Sequence, residues 1–430
     1  MSNNQTEKKR PALFKDSSFK WMLSGAGLSM LGDQFTLIAL PWLVLKMTED
    51  TLALGIALAL IGVPRALFML IGGALVDRYS AKRVLMLTKY INTVLLGLLA
   101  ILVLSNNLSL WMVYALSLAI GLATAFSIPS GSAILPHVVK AEHLHAANGV
   151  MLGLRQVTMF VGPLLAGLLI ALFSDKHAGV VADTQGLGVA FLLDAFSFAI
   201  SAFMLARVTV RWAPVPDDPA KRSHLLKSVT ENLSYCWSDV DMRTCFLYWA
   251  VIALLISGPL QVAMPVLANT MSNGVAAFGI FMGAHGAGTL VGMIISGGRP
   301  NLRVGSLGMT ILAVDGMIGM LIAPMGLVNA TWIGAAILLL IGLLGGFVQV
   351  AVFTWMQRRV PAYMMGRTMS LFMFIFMGIA PVSAAVTGWL MRSVTIGQLF
   401  AGSGVLLFAI ALIALVASPM RVVSDSPLKG

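Results

Sequence analysis

Charge is what this sequence has least of: Asp, Glu, Lys and Arg make up 10% of its 430 residues, while 58% are hydrophobic. A soluble domain carries about 25% charged residues. This chain has too few to clothe a water-facing surface, which excludes soluble enzymes and DNA-binding domains. Cysteine is nearly absent, and Cys236 and Cys245 alone make neither a disulfide framework nor a metal knuckle. No Walker lysine motif occurs, so ATP is not the expected driving force. Lys and Arg number 28 against 17 Asp and Glu, a balance of +11. On a soluble chain that excess would point to nucleic acid. Here most of the basic residues fall in short connections, where membrane topology demands them, so no nucleic-acid partner is expected.

What the sequence has instead is apolar length. A spanning helix needs roughly 20 apolar residues at about 1.5 Å each. Runs bounded by Gly, Pro, Asn or charge predict twelve helices, at 20–46, 52–76, 84–104, 109–133, 148–173, 187–209, 244–269, 275–297, 304–327, 331–356, 364–391 and 397–418. The expected fold is an all-α integral membrane protein of twelve spans in two six-helix bundles, 20–209 and 244–418. Polar tails occupy 1–19 and 419–430, and a linker occupies 210–243. After Pro214, Pro216 and Pro219 the linker turns amphipathic, with Leu225, Leu226, Val229, Leu233, Trp237 and Val240 at helical spacing. Such a helix lies along the membrane interface or packs as a connector under the bundle.

Orientation follows from the basic residues. One set of connections holds Lys8, Lys9, Arg10, Lys15, Lys20, Arg78, Lys82, Arg83, Lys140, Arg211, Lys221, Arg222, Lys227, Arg299, Arg303, Arg358, Arg359, Arg421 and Lys429. The opposite set holds only Lys46, Lys176 and Arg392. Both termini are therefore expected in the cytoplasm, with the chain in the plasma (inner) membrane. The halves also repeat. At an offset of 224, Ala39, Pro41, Leu43 and Met47 fall on Ala263, Pro265, Leu267 and Met271, and Ala53, Gly55, Ile56 and Gly62 on Ala277, Gly279, Ile280 and Gly286. Later the offset shortens to 221, placing Gly121 on Gly342 and Phe126 on Phe347. Parallel repeats of this kind mark secondary transporters, with the transport site at the repeat interface.

Charges at membrane depth cost about 2.5–3.5 kcal/mol each on insertion scales, so each is a functional candidate. Asp33 lies in predicted helix 1 on a stripe with Gly25, Ser29, Gly32 and Thr36; Arg65 is mid-helix 2 and Arg155 is in helix 5. A carboxylate that alternates between buried and watery surroundings changes its hold on a proton. Asp33 thus reads as a coupling acid, with Arg65 or Arg155 as its ion partner or as a contact for substrate anion. The alternative is a permanent Asp33–Arg65 bridge tying helices 1 and 2. Asp194 and Asp315 read as structural, and Lys89 as a side chain that snorkels to the interface. His137, His143, His145 and Glu142 sit in a loop and read as no metal site. The glycines of helix 8, Gly283, Gly286, Gly288 and Gly292, read as packing rather than a phosphate loop.

Two motifs carry a family resemblance. The connection after helix 2 runs Gly72-Gly73-Ala-Leu-Val-Asp77-Arg78-Tyr-Ser-Ala-Lys82-Arg83. It resembles the loop motif of the major facilitator superfamily, departing at Ser80, where the family has Gly, and at Ala81, where it prefers a base. Helix 5 carries Gly153-Leu-Arg155-Gln156, then Gly162-Pro163-Leu-Leu-Ala166-Gly167, which resembles the antiporter motif of that superfamily with Ala166 in place of one Gly. Leu31-Gly32-Asp33, Ala39-Leu40-Pro41-Trp42 and the Glu231–Tyr235 stretch are similar to the branch holding macrolide-efflux pumps and siderophore exporters.

The resemblance implies alternating access around a cavity lined by helices 1, 2, 4, 5, 7, 8, 10 and 11, with Gly73, Asp77, Arg78, Lys82 and Arg83 as a gating loop. It implies a helix-5 hinge at Gly153, Gly162, Pro163 and Gly167. Cavity candidates are Gln34, Trp42, Phe68, Phe126, Gln156, Phe160, Gln261, His285, Phe347, Gln349 and Trp355. The expected activity is proton-coupled efflux of an amphipathic small molecule, a drug or siderophore-like metabolite. No cofactor and no metal are expected; the partners are the solute, the proton and the bilayer, and the chain is expected to act as a monomer. A symporter or facilitator importing a small solute is the alternative, and a non-transporting sensor or lipid-modifying enzyme a remote one. The departure that matters is in helix 4: Trp111 to Ala133 carries no charge, whereas many drug antiporters hold an Arg there.

Overall fold

A helix leaves its first backbone N–H groups and last carbonyls without partners, and in lipid nothing but the chain can satisfy them. The ends of these helices are accordingly polar. The computed structural model describes residues 13–78, 80–173, 184–210, 234, 236–272, 274–299, 302–361 and 364–423. The Asp16 carboxylate accepts the N–H groups of Ser18 and Phe19 at 2.8 and 3.3 Å, opening α1 (Ser17–Thr48). There follow α2 (Thr51–Arg78), α3 (Ala81–Leu104), α4 (Leu110–Val138), α5 (Leu144–Phe173) and α6 (Thr184–Ala206).

The second half opens with α7, which runs Val240–Gly258, passes through a π turn at Pro259–Ala263 and resumes as Met264–Asn269. Then come α8 (Gly274–Gly298), α9 (Leu307–Ile322), α10 (Thr331–Arg359), α11 (Met365–Leu390) and α12 (Ile396–Ala417). Thr395 and Gln398 form a reciprocal capping box on α12, Thr395 N–H donating to Gln398 Oε1 at 2.9 Å. Among the described residues twelve helical segments are long and apolar enough to cross a membrane. The chain is an all-α, multi-pass membrane protein. The expected linker helix lies outside the described residues except for its last part, as do residues 1–12 and 424–430.

The helices fall into two compact units: Met1–Glu49 with Leu60–Asp217, and Asp50–Ala59 with Asp218–Gly430. Lipid tails are as apolar as leucine, so close approach of backbones rather than burial of oil holds such units together. In the first unit Gly25 and Gly32 let α1 lie directly on α6: a Cβ at Gly25 would meet Met204 and Ser201, and one at Gly32 would overlap Ser197 and Asp194. In the second, α8 and α10 interlock through reciprocal glycines, Gly288 and Gly292 against Leu339 and Leu343, Gly342 and Gly346 against His285 and Thr289.

The sequence repeat reappears as geometry inside each unit. Gly121 of α4 sits against the Ile61 carbonyl of α2, and its counterpart Gly342 of α10 sits against the His285 carbonyl of α8. Ile61 and His285 are themselves 224 residues apart, the offset of the repeat. The second unit adds an aromatic cluster: Trp249 of α7 meets Phe246, Trp355 and Phe372 edge-on at centroid distances of 5.7, 6.3 and 5.4 Å.

Candidate functional site

The membrane-depth charges of the first unit gather on neighbouring helices. Along α1, Gly25, Ser29, Gly32 and Thr36 face α6, while Asp33, about 100° round the helix from Gly32, is exposed. Asp33 is in electrostatic reach of Lys89 on α3 and Arg65 on α2. Arg65 in turn senses both Asp33 and Arg155 of α5. Among the described residues no ion pair within 4.0 Å joins Asp33 to Arg65, and the Arg65 Nε is buried without a hydrogen-bond partner. The arrangement is therefore a loose field of Lys89 and Arg65 around Asp33, with Arg155 beyond Arg65, rather than a closed bridge.

Lys89 departs from the sequence expectation. It is 7% exposed and does not reach for an interface; its Nζ donates to Ser29 Oγ at 3.1 Å and to Ser201 Oγ at 2.6 Å. The small-residue packing of α1 on α6 leaves room for the lysine, which two hydroxyls receive beside the Phe198 ring. Asp194, 1% exposed, accepts from the hydroxyls of Thr36 and Ser197. The missed signal was the alignment of serines at 29 and 201 with a lysine on the helix between them.

On α5, Gly162, Pro163, Ala166 and Gly167 are buried, and Gly162 packs against the Gln34 side chain. Gly153 faces open space, and Arg155 is exposed although it lies two turns from the buried Gly162 on the same side of the helix. Gln156 is buried, and Phe160 half-buried. Phe68 and Phe126 form a tilted pair at 6.4 Å. Trp42 is buried in the packing of α1. The helix α2 runs through Gly73, Asp77 and Arg78, whose side chains lie outside the described residues. Lys82 donates to the carbonyls of Ala206 and Val208 at 3.1 and 2.7 Å, closing the end of α6, and Arg83 is exposed.

In the second unit Gln261 sits in the π turn of α7 and is half-buried, as is His285; Gln349 is exposed. Phe347 and Trp355 were expected on a cavity wall, but both are buried: Phe347 beside the glycine contact of α8 and α10, Trp355 edge-on to Trp249 and under the Arg359 guanidinium at 5.5 Å. Wide aromatic side chains at positions where two helices close on one another become core. Asp315 of α9 is buried beside Tyr248 of α7.

A cluster that reads in sequence as mere topological charge joins the foot of α10 to the start of α7. Arg359 Nε and Nη2 donate to Asp239 at 2.8 and 2.9 Å, and Nη2 also meets Asp241 at 2.9 Å. Asp239 caps α7 with the Asp241 and Met242 N–H groups. Its partial burial works against ionisation, but Arg359 and these N–H groups outweigh that and hold the carboxyl below the usual carboxylate range. Asp50 pairs with Arg392, which holds it low as well, and Thr51 Oγ1 donates to the Gly388 carbonyl at 2.9 Å, tying the start of α2 to the end of α11 within this unit. Among the described residues no group of three His, Cys, Asp or Glu could hold a metal ion.

Comparison with known proteins adds relatives to this geometry. Residues 22–385 match the family model described as Major Facilitator Superfamily. The "Enterobactin exporter EntS" of Citrobacter koseri is 25% identical over 347 residues, covering 80% of this chain and 77% of the relative. The protein of that name from Escherichia coli O139:H28 is 26% identical over 355 residues with the same coverage. Among solved structures, a POT family transporter in complex with 5-aminolevulinic acid aligns with a TM-score of 0.69 at 12% identity, over 94% of this chain and 96% of that one. A bacterial homologue of the iron transporter ferroportin, in its inward-facing state, aligns with a TM-score of 0.65 at 16% identity, over 92% and 98%. At such identities the structural likeness establishes the fold.

Proposed function

This chain belongs to the major facilitator superfamily, and we propose that it exports an amphipathic small molecule, siderophore-like or drug-like, in exchange for protons. It is a secondary transporter of a small solute; direction, solute and coupling ion are the proposal. The single observation that carries the proton reading is Asp33: a carboxylate at membrane depth, exposed, facing cations on α2 and α3, yet locked in no direct ion pair among the described residues. A carboxylate so placed can change partners as its surroundings change, which a closed bridge cannot. Lys89 and Arg65 supply the positive field that an emptied or filled Asp33 alters, and Arg155 acts on Arg65. The names of the relatives support export and a siderophore-like solute.

Energetically, one proton moving down a 100 mV potential supplies about 2.3 kcal/mol, and a pH difference adds to it. Both termini are assigned to the cytoplasm on the positive-inside bias, and the chain is taken to act as a monomer. The test is a solute screen in proteoliposomes carrying an imposed pH gradient, comparing a catecholate siderophore, a macrolide and a cationic dye. At least one should accumulate in the acidic compartment and alkalinise it. Accumulation in the alkaline compartment instead would establish import by symport, and no gradient-dependent movement of any solute would sink proton coupling.

A further inference from the structure

The interface of α1, α3 and α6 holds a second charged site that lies off the exposed cluster. Lys89 enters it from α3. Its ammonium donates to Ser29 of α1 and Ser201 of α6, and lies 5.5 Å from the centroid of the Phe198 ring. Both hydroxyls pass their own hydrogens to the Gly25 carbonyl, Ser29 at 3.2 Å and Ser201 beside it. Each oxygen thus keeps a lone pair for the Lys89 ammonium. The helices can approach this closely because Gly25 and Gly32 present no side chain to α6.

The site is anchored but lacks a contacting counter-ion. Among the described residues no carboxylate is within 4.0 Å of Lys89 Nζ. Asp194 is two turns along α6 from Ser201 and spends its oxygens on Thr36 and Ser197. Asp33 is one turn from Ser29 on the same helix, a rise of about 6 Å, and is the acid whose field Lys89 shares. One turn along α3, Asn92 is fully buried with both amide atoms unpartnered, so this interface keeps polar capacity beyond what its own groups use. Facing Asp33 from the surrounding helices are therefore Arg65 on α2, Lys89 on α3 and Asp194 on α6, with Arg155 of α5 acting on Arg65. Of the cations, Lys89 has its nitrogen fixed by hydroxyls on two helices, whereas Arg65 leaves Nε free.

We propose that Lys89 is a positioning residue for the proton step: held by Ser29 and Ser201 a helical turn from Asp33, its ammonium is the fixed counter-charge that sets the pH at which Asp33 releases its proton. The inference rests on the reading of Asp33 as the coupling acid. It also gives the α1–α6 glycines a function, since a wider interface would move the ammonium relative to α1.

The test reads Asp33 directly. Infrared difference titration of the purified full chain, with the Asp33 band identified by its loss in Asp33→Asn, gives the protonation midpoint of that carboxyl. In Lys89→Gln the midpoint moves to higher pH by on the order of one unit, a tenfold change; in Lys89→Arg it stays near wild type. Ser201→Ala, which keeps the charge and loosens its anchor, moves it by less in the same direction and serves if Lys89→Gln does not fold. An unmoved midpoint in Lys89→Gln, or in Ser201→Ala where that variant stands in, overturns the proposal, because a merely structural lysine would lower the yield of folded protein without shifting the titration. Uphill transport that survives in Asp33→Asn would overturn the coupling role of Asp33 while leaving the titration result standing, so the two failures are distinguishable.

Discussion

Replacing Arg359 by Met keeps an aliphatic stem and removes the guanidinium from two carboxylates and from the face of Trp355. Arg359 and Asp239 are each 9% exposed at the side chain, and Asp241 is 27% exposed. Removing one partner of a fully buried pair costs about 3–5 kcal/mol, because the other charge is left stranded. Here the stranding is partial. Asp239 keeps two backbone donors at 3.0 and 3.2 Å, and Asp241 sees solvent. We expect a loss of about 2–3 kcal/mol, measured as a lower melting temperature of the detergent-solubilised protein. The pH dependence gives a second check. Because Asp239 is held below the ordinary carboxylate value, its pairing stabilises the fold above about pH 4 and that stabilisation fades as pH falls through the lowered value. Wild type should therefore lose stability on acidification below about pH 4, and Arg359→Met should lose less over the same range. Equal melting of the two proteins at neutral pH, or parallel acid profiles, would refute the reasoning.

Glycine substitutions separate packing from permissive sites. Gly32→Val should prevent α1 from lying on α6 and abolish the monodisperse size-exclusion peak, whereas Gly153→Ala, facing open space, should be neutral or gain about 0.5–1 kcal/mol of helix stability; a folded Gly32→Val protein would contradict this packing. Neither cysteine should label with maleimide in the folded protein: Cys236 is buried, which pushes its thiol up, and Cys245 is buried with its Sγ 3.7 Å from Met420 Sδ. Both should label once the protein is denatured, and fast labelling before denaturation would contradict their burial. Impermeant labelling of tags at the two chain ends should find both protected in right-side-out cells; labelling of either end would overturn the assigned orientation.

The helices were legible because lipid leaves so few solutions: apolar runs of spanning length can only be helices, and every predicted run has a helical counterpart with ends displaced by a few residues. The repeat was legible too, because Gly121 and Gly342 answer a backbone constraint that each unit imposes separately. The site was legible only in part. A charge in an apolar run announces itself, so Asp33, Arg65 and Arg155 stood out, but which way each side chain turns depends on helices far away in sequence. Lys89 shows the difference. Its position near a helix end suggests snorkelling, and only the closeness of Ser29 and Ser201, permitted by Gly25 and Gly32 on either side of Ser29, makes burial the lower-energy choice. Trp355 and Phe347 are buried here, and an aromatic residue on a helix reads alike whether it faces solute or a partner helix.

The central claim is that Asp33 carries the proton whose movement drives solute export. It is tested most directly by recording proton flux and solute flux together in proteoliposomes containing wild type or Asp33→Asn. Asp33→Asn is predicted to lose solute-dependent proton flux and uphill accumulation while retaining exchange of labelled for unlabelled solute. Uphill accumulation at the wild-type rate, with proton flux intact, would contradict it.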